Sequence, residues 1–399
     1  MSAPQSTNAP AGEVVVHVFG RTDVGRTREH NEDAFVVADL STDNATLQPE
    51  VRTHVGGPKG SLFMVADGMG GAAAGEIASA MAVEIVVNEL RATWIPDTLS
   101  SAQGFVRALK AATKAANERI HSYAASHLEY RGMGTTATIA GLLGDTLYLA
   151  QVGDSRAYIV REGVARQITK DQSLMQKLIE AGELTEEEAE RSERRNIILQ
   201  ALGPEPTVKV DLTQQTIRSG DTLVLCSDGL SGQVTKDDIG TVATEEEDLT
   251  AACKRLIDIA NGNGGPDNIT VIVARFEGPG LRAPGASDNI GHRVFPLPDT
   301  GQTPSMAIDR IIENDAPTQR LSAVPRPTPP PIDQMAVTLP NSMRPTVPAV
   351  QPNVSPERRN TGRMIAYACL AIMILFAGWF VARQFTAKSD STSATAPKG

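Results

Sequence analysis

Sixteen of the chain's 25 prolines fall between Pro279 and Pro356. Proline has no N–H to give to a helix or a sheet ladder. A stretch this dense in it, without sustained apolar periodicity, reads as a linker rather than a packed unit. The 399 residues therefore divide into a disordered N-terminus over 1–12, one globular unit over 13–277, a proline-rich flexible linker over 278–363 and the segment after it. The globular unit is long enough to bury a sizeable core.

The segment after the linker, Met364 to Ala382, reads MIAYACLAIMILFAGWFVA, 19 residues without a charge. At about 1.5 Å per helical residue it would span roughly 28 Å, close to the hydrocarbon thickness of a bilayer. Arg363 and Arg383 close its ends and Trp379 sits near one interface, as membrane anchors do. The expectation is a single transmembrane helix over 364–382 and a short tail over 383–399. Met1 to Gly12 has no basic region followed by an apolar run and so does not read as a signal peptide. The globular unit is expected to stay on the cytoplasmic side, with the tail crossing. Cys226, Cys253 and Cys369 form no C-x-x-C pair, and three cysteines cannot build a disulfide framework, which suits a reducing compartment. The net charge of −10 weighs against nucleic-acid binding, which favours a basic face.

Periodicity places the elements. Residues 13–20 (EVVVHVFG) and 61–66 (SLFMVA) read as strands, and 75–90 and 101–128 as helices. Short strand-like runs follow at 135–142, 146–152, 157–161 and 164–169, with tight turns at Gly144-Asp145 and Glu162-Gly163, which predicts an antiparallel meander. Residues 172–182 and 185–194 read as short polar helices, 222–227 as a buried strand, 249–261 as a helix and 269–276 as the last strand. Strands grouped apart from helices point to an α+β layered fold.

Five aspartates stand out by context. Asp67, Asp154 and Asp228 each follow an apolar strand, Asp267 precedes the last strand in G-G-P-D-N, and Asp33 closes R-E-H-N-E-D. A carboxylate at the rim of a core is costly to desolvate without a partner. Several together repel one another unless cations sit between them. Hard oxygen donors suit Mg²⁺ or Mn²⁺, and Gly68 would let its carbonyl approach a metal. No His/Cys cluster favours zinc. Bound divalent cations lower the pKa of water from about 16 toward 7, and two of them about 3.5–4 Å apart can share a hydroxide and draw in an anionic ester. Arg28 can hold phosphate oxygens in a bidentate grip. A nucleotide-binding loop at Gly68–Gly75 is disfavoured, because no G-K-[ST] ending follows. Ser155 and Ser227 have no suitably placed histidine to activate them and are explained by strand-end turns.

Seven ordered motifs carry a resemblance: T-D-V-G-R-T-R-E-H-N-E-D, V-A-D-G-M-G-G-A-A-A-G-E, G-M-G-T-T-A-T, V-G-D-S-R-A-Y, I-T-K-D-Q-S-L, L-C-S-D-G-L and G-G-P-D-N-I-T. Together, over roughly Val14 to Phe276, they resemble the type-2C, metal-dependent Ser/Thr protein phosphatases of the bacterial style. The resemblance implies an αββα sandwich, two antiparallel sheets flanked by helices with a metal cleft at one edge. It implies hydrolysis of phosphoserine and phosphothreonine monoesters in proteins by a hydroxide bridging two Mn²⁺ or Mg²⁺ ions. By position, Asp67 matches the ligand bridging both metals and the Gly68 carbonyl a ligand to one. Asp228 and Asp267 match ligands of the first metal, and Glu32 and Asp33 the acidic pair beside the second. Asp154 matches a position linked to a third, weaker metal, and Arg28 the phosphate-binding arginine. Residues 171–202 match a mobile flap expected to help choose substrates.

Met69 stands where many eukaryotic members carry a histidine assigned as general acid, which leaves that role to a metal-bound water or to His30. The expected partners are phosphorylated proteins, a membrane Ser/Thr kinase among them, with no nucleic acid, and the expected state is a monomer. Two other readings stand beside this one: a membrane-tethered phosphopeptide-binding module without catalysis, and a hydrolase of small phosphoesters.

Overall fold

The computed structural model describes residues 12–42, 53–70, 74–190, 192, 194 and 196–297. Its strands are apolar on both faces, so each sheet must be covered twice. In β4 (Ser61–Met69) Phe63 and Val65 face one core while Leu62, Met64 and Ala66 face another. The same period-2 division recurs in β11 (Thr222–Cys226), where Leu223 and Leu225 oppose Val224 and Cys226. Strands buried on both sides lie in the middle layers of a stack.

The stack has four layers. One sheet runs in the order β3 (Thr53–Val55), β1 (Val15–Asp23), β12 (Ile269–Glu277), β11, β8 (Arg156–Arg161), β9 (Val164–Gln167). The other runs β10 (Asp211–Thr216), β7 (Thr146–Val152), β6 (Ala137–Leu143), β4, β2 (Asp33–Asp39), with β5 (Gly134–Thr135) added to the end of β4. All named pairings are antiparallel. Between the sheets Phe63 meets Phe276 edge to face, ring centroids 6.3 Å apart. Both side chains are fully buried, and each such burial is worth about 2–3 kcal/mol before ordering costs.

Helices α1 (Ala74–Thr93) and α2 (Ala102–Ser126) cover the outer face of the second sheet through Leu90, Phe105 and Leu109, with Trp94 just beyond α1 in the same core. Helices α6 (Lys236–Glu245) and α7 (Leu249–Gly262) cover the first through Ile239, Val242, Leu256 and Ile257. Side-chain oxygens start three of them: Ser101 accepts from Gly104 N, Thr235 from Asp238 N and Asp248 from Thr250 N, satisfying N–H groups that a helix start leaves free. Two short helices, α3 (Leu174–Glu180) and α4 (Glu186–Glu190), lie in the expected flap, and α5 (Asp228–Ser231) follows β11.

The expected sandwich is present, with three corrections. The four-strand meander is two hairpins in different sheets: β6–β7 belongs to the second sheet and β8–β9 to the first. The chain changes sheets at Gly153-Asp154-Ser155, where Gly153 adopts φ +103°, a conformation open to glycine. Both hairpin turns are as expected, but turn residues carry no information about which sheet a hairpin joins. Second, β4 does not stop at Ala66. It runs through Asp67 to Met69 by exchanging β6 for β5 as partner, so Asp67 lies within a strand.

Third, residues 278–297 do not begin the linker. They form a strap along the domain. Leu281 is buried, Phe295 N donates to Leu212 O at 2.8 Å, Gln214 N donates to Arg293 O at 2.9 Å, and the Phe295 ring packs edge to face on Tyr148. The strap pairs with β10, whose outer side would otherwise be an open sheet edge. Arg218 grips the Asp288 carboxylate through two bonds of 2.7 Å. Among the described residues no helix is long and apolar enough to cross a membrane. The helix expected over 364–382, the tail, the linker from 298 on and the N-terminus through 11 lie outside the described residues.

Candidate active site

The acidic residues gather where the two sheets meet at one end. Asp33 opens β2 directly opposite Asp67 on β4, a cross-strand pair of like charges. The backbone of Asp67 is held on both sides: its N–H donates to Thr136 Oγ1 at 2.9 Å, and its carbonyl accepts from Thr136 N at 2.8 Å and Thr135 Oγ1 at 2.9 Å. Asp228, first residue of α5, comes from the other sheet and is hydrogen-bonded through its carboxyl to Asp67. Asp267 lies just before β12 and accepts from Arg28 Nη2 at 2.8 Å. Asp154, in the loop that changes sheets, is buried, and its Oδ1 has no partner. Glu32 is buried and its carbonyl accepts from Gly68 N at 3.1 Å. Gly68 has no room for a side chain: a Cβ there would come within 2.3 Å of Gly75 O and 2.5 Å of Glu32 O.

The electrostatics follow from this crowding. Burial, then the charges of Asp33, Asp228, Asp154 and Asp267, hold the Asp67 carboxyl well above the usual range. Burial also lifts Asp33 to about 7, against the hydrogen bonds it receives from Thr270 and Ser227. Asp154 rises to about 8, first by burial and then by the fields of Asp228 and Asp171, with Arg156 opposing. Asp228 is raised by burial and by Asp267. These carboxylates repel one another and are short of counter-charge.

Divalent cations fit this donor set. The side chains are oxygen donors, Asp33 Oδ1 and Asp154 Oδ1 are buried with no partner, and hard cations are the natural neutraliser of such a cluster. Among the described residues no three His, Cys, Asp or Glu are already drawn into an ion-holding group. The arrangement consists of linked pairs instead: Asp33 opposite Asp67, Asp67 with Asp228, Arg28 with Asp267.

Of the expected site residues, Asp33, Asp67, Asp154, Asp228 and Asp267 act on one another electrostatically, with Glu32 and Gly68 joined to them through the backbone. Arg28 is half-exposed and tied to Asp267 rather than standing free. Several supporting residues were not singled out from sequence. Ser227, explained there as a turn residue, donates to Asp33 Oδ2 at 2.8 Å and accepts from Thr270 N. Gln172 accepts from Gly153 N at 3.0 Å, fixing the turn before Asp154. Arg156 grips Asp171 through Nε and Nη2 at 2.9 and 2.7 Å. Asn268 makes three side-chain hydrogen bonds around the Arg28 loop. The one signal available was position, since each lies inside a quoted motif within two residues of an aspartate.

A two-sheet sandwich with buried carboxylates and an arginine at one end is the architecture of a metal-dependent phosphatase. The family model for protein phosphatase 2C matches residues 42–270, and the chain belongs to that family. The serine/threonine phosphatase Stp of Listeria monocytogenes is 38% identical over 258 residues, 65% of this chain and 95% of that one. The crystal structure of the Mycobacterium tuberculosis serine/threonine phosphatase PstP superimposes with a TM-score of 0.55 at 36% identity, over 66% of this chain and 99% of that one. A structure of the PstP catalytic domain in complex with two manganese ions superimposes at 0.54, with 34% identity and the same coverage.

Proposed function

We propose that this chain is a protein serine/threonine phosphatase that hydrolyses phosphoserine and phosphothreonine monoesters in proteins and uses Mn²⁺ or Mg²⁺. The observation that carries the reading is the buried, mutually repelling carboxylate cluster beside an arginine. In this assignment Asp228 and Asp267 would hold one metal and Glu32 and Asp33 would lie beside a second, Asp67 would serve both, the Gly68 carbonyl would be a donor to one of them, and Asp154 would serve a third. When bound, such ions supply Lewis acidity toward water and toward the phosphate oxygens.

The chain's own groups do the rest. Arg28, half-exposed at the edge of the cluster, exchanges its bond to Asp267 for a bidentate grip on the phosphate, offsetting charge that develops there. Ser227 holds the Asp33 carboxylate and Thr136 the Asp67 backbone, which places these donors before reaction. Neither Met69 nor a neighbouring histidine is assigned as acid.

The finer reading places the enzyme on a membrane. It rests on the uncharged run 364–382 and the proline-rich stretch before it, which would give the domain a reach of tens of ångströms over phosphoproteins at the bilayer, a membrane kinase among them. Nothing among the relatives favours a module without catalysis.

The test is hydrolysis of a phosphothreonine peptide by the full chain as Mn²⁺ is titrated. Turnover should vanish with chelator, return with Mn²⁺, and greatly exceed that of free phosphoserine. Turnover unaffected by chelation would sink the assignment, and equal rates on free phosphoserine would transfer it to small phosphoesters.

A further inference from the structure

The loop that carries Arg28 is pinned near its two ends by local bonds, Gly25 N to Asp23 Oδ1 and Asp33 N to Asn31 Oδ1, and at Arg26, whose N–H donates to Gly265 O at 2.7 Å. It leaves β1 after Asp23 and enters β2 at Asp33, and Arg28 to His30 along it are exposed. One side chain from outside the loop reaches both of its ends. Asn268 donates from Nδ2 to Val24 O at 3.0 Å and to His30 O at 2.9 Å, and its Oδ1 accepts from Glu32 N at 2.8 Å. Val24 lies four residues before Arg28 and Glu32 four residues after it. Asn268 is itself buried, 3% exposed.

We infer that Asn268 is the positioning residue that sets Arg28 against the carboxylate cluster; the inference rests on the phosphatase reading above. An asparagine amide offers two N–H donors and an acceptor oxygen on a short stem, and here two carbonyls and one N–H meet it. The partners fix which way the amide faces. Aspartate has no donor for the carbonyls, serine has one, and glutamine is a methylene too long for a buried site. The clamp extends further. The Glu32 backbone that Asn268 holds is the same one whose carbonyl accepts from Gly68 N. One residue thus links the end of β12, the Arg28 loop and the Asp67-Gly68 segment of β4. The next residue back along the chain, Asp267, holds the Arg28 guanidinium directly and accepts from Asn268 N at 2.9 Å. Close approach supports the same geometry: a Cβ on Gly25 would lie 2.1 Å from Asp267 O. The loop therefore lies directly against the Asp267-Asn268 backbone.

The test compares Asn268→Asp with the unsubstituted full chain, each also carrying Arg28→Ala, all loaded with Mn²⁺. Asn268→Asp keeps the acceptor for Glu32 N and sets a carboxylate against two carbonyls, freeing both ends of the clamp. Misplacing a binding group by about 1 Å costs up to about 100-fold. The expected result is a loss of about 30-fold in kcat/KM for a phosphothreonine peptide, with KM raised by the weaker phosphate grip and kcat lowered by the charge left unopposed, and faster amide exchange confined to residues 24–32. In the Arg28→Ala background the same change should cost less than about threefold, because residues acting through one group do not add. An unchanged KM, or an equal loss in both backgrounds, overturns the inference. If Asn268→Asp does not fold, Asn268→Ser, which leaves room for water, is read by the same criteria. Should the unsubstituted chain show no Mn²⁺-dependent turnover, the phosphatase reading fails, and amide exchange in the loop still decides whether Asn268 holds it.

Discussion

Asp67→Asn should stabilise the metal-free domain and abolish its function, and the two effects can be separated by pH and by metal. The substitution keeps the shape of the side chain. The backbone bonds that place residue 67, to Thr135 and Thr136, do not involve the carboxylate, so the fold should survive. What is lost is a charge facing Asp33 across the strand pair and felt by Asp228, Asp154 and Asp267. Side chains directly opposite in such a pair lie about 5 Å apart, and like charges at that distance cost about 3 kcal/mol at an effective dielectric near 20. A proton relieves the cost. The folded carboxyl is held well above its ordinary value near 3.8, so the folded state keeps a proton that the unfolded chain has released. Stability conferred by that proton is therefore lost as pH rises from about 4 through the raised folded value. At pH 8 under chelation the variant should be about 1–3 kcal/mol more stable, roughly 3–8 °C in Tm, and near pH 4, where the unfolded carboxyl is also partly protonated, nearly equal. With Mn²⁺ at about a thousand times its Kd the order reverses, since a bound ligand adds about 4.1 kcal/mol to the protein that can hold it. Thermal melts at the two pH values, with chelator and with Mn²⁺, supply the measurement. A variant no more stable at pH 8 without metal, or one that Mn²⁺ stabilises as much as the unsubstituted chain, would refute the reasoning.

Two further outcomes concern the scaffold. Asp221→Asn leaves Arg161 buried without its counter-charge, the pair now meeting through bonds of 2.7 and 2.6 Å with side chains 7% and 0% exposed. Breaking such a pair costs about 3–5 kcal/mol, which urea unfolding would register, and a change below about 1 kcal/mol would contradict it. Residues 1–297 should unfold as cooperatively as the full chain, whereas ending at Gly278 strips Asp288 from Arg218 and Phe295 from Tyr148. The shorter chain should be less stable by several kcal/mol and expose the edge of β10; equal urea midpoints for the two would argue against the strap.

How much of this was legible depended on which residues carry local signals. The helix expected over 101–128 matches Ala102–Ser126 because its apolar stripe and its Ser101 cap both lie in the segment itself. The strands at Ser61, Thr222 and Ile269 were visible for the same reason, since their apolar runs are continuous. β2 and β10 were not placed. β10 reads DLTQQT, and its polar face makes sense only under a strap about 80 residues later in the chain. The strap was hidden by its prolines, whose scarcity of N–H groups matters little where only alternate backbone groups pair. The position of Asp67 within β4 also depends on a partner far away in sequence, the exchange of β6 for β5. The aspartates were conspicuous because apolar strands rarely run into carboxylates without cause. The groups that orient them, Ser227, Thr136 and Asn268, look like ordinary turn and strand residues until the sheets are stacked.

That stacking explains why the cluster sits where it does. Side-chain bonds around the acidic residues cross from one sheet to the other. Ser227, at the end of β11, donates to Asp33 on β2, and Thr136, beside β6, meets Ser155, before β8, through hydroxyls 2.8 Å apart. Thr138 on β6 donates to the carbonyl of the same Ser155 at 2.8 Å. The loop carrying Asp154 is itself the passage between sheets, and Gln172 and the Arg156–Asp171 pair tie the start of the flap to it. Carboxylates at a seam of this kind are placed by two independent hydrophobic stacks rather than by one loop. Their mutual repulsion can then persist in the folded protein, because Asp33 and Asp67 are fixed in register on paired strands and drawing the backbone of Asp228 away from them would move one sheet over the Phe63–Phe276 core. A site built this way keeps its charges close enough to demand cations, with the energy to do so coming from apolar layers that take no part in the chemistry.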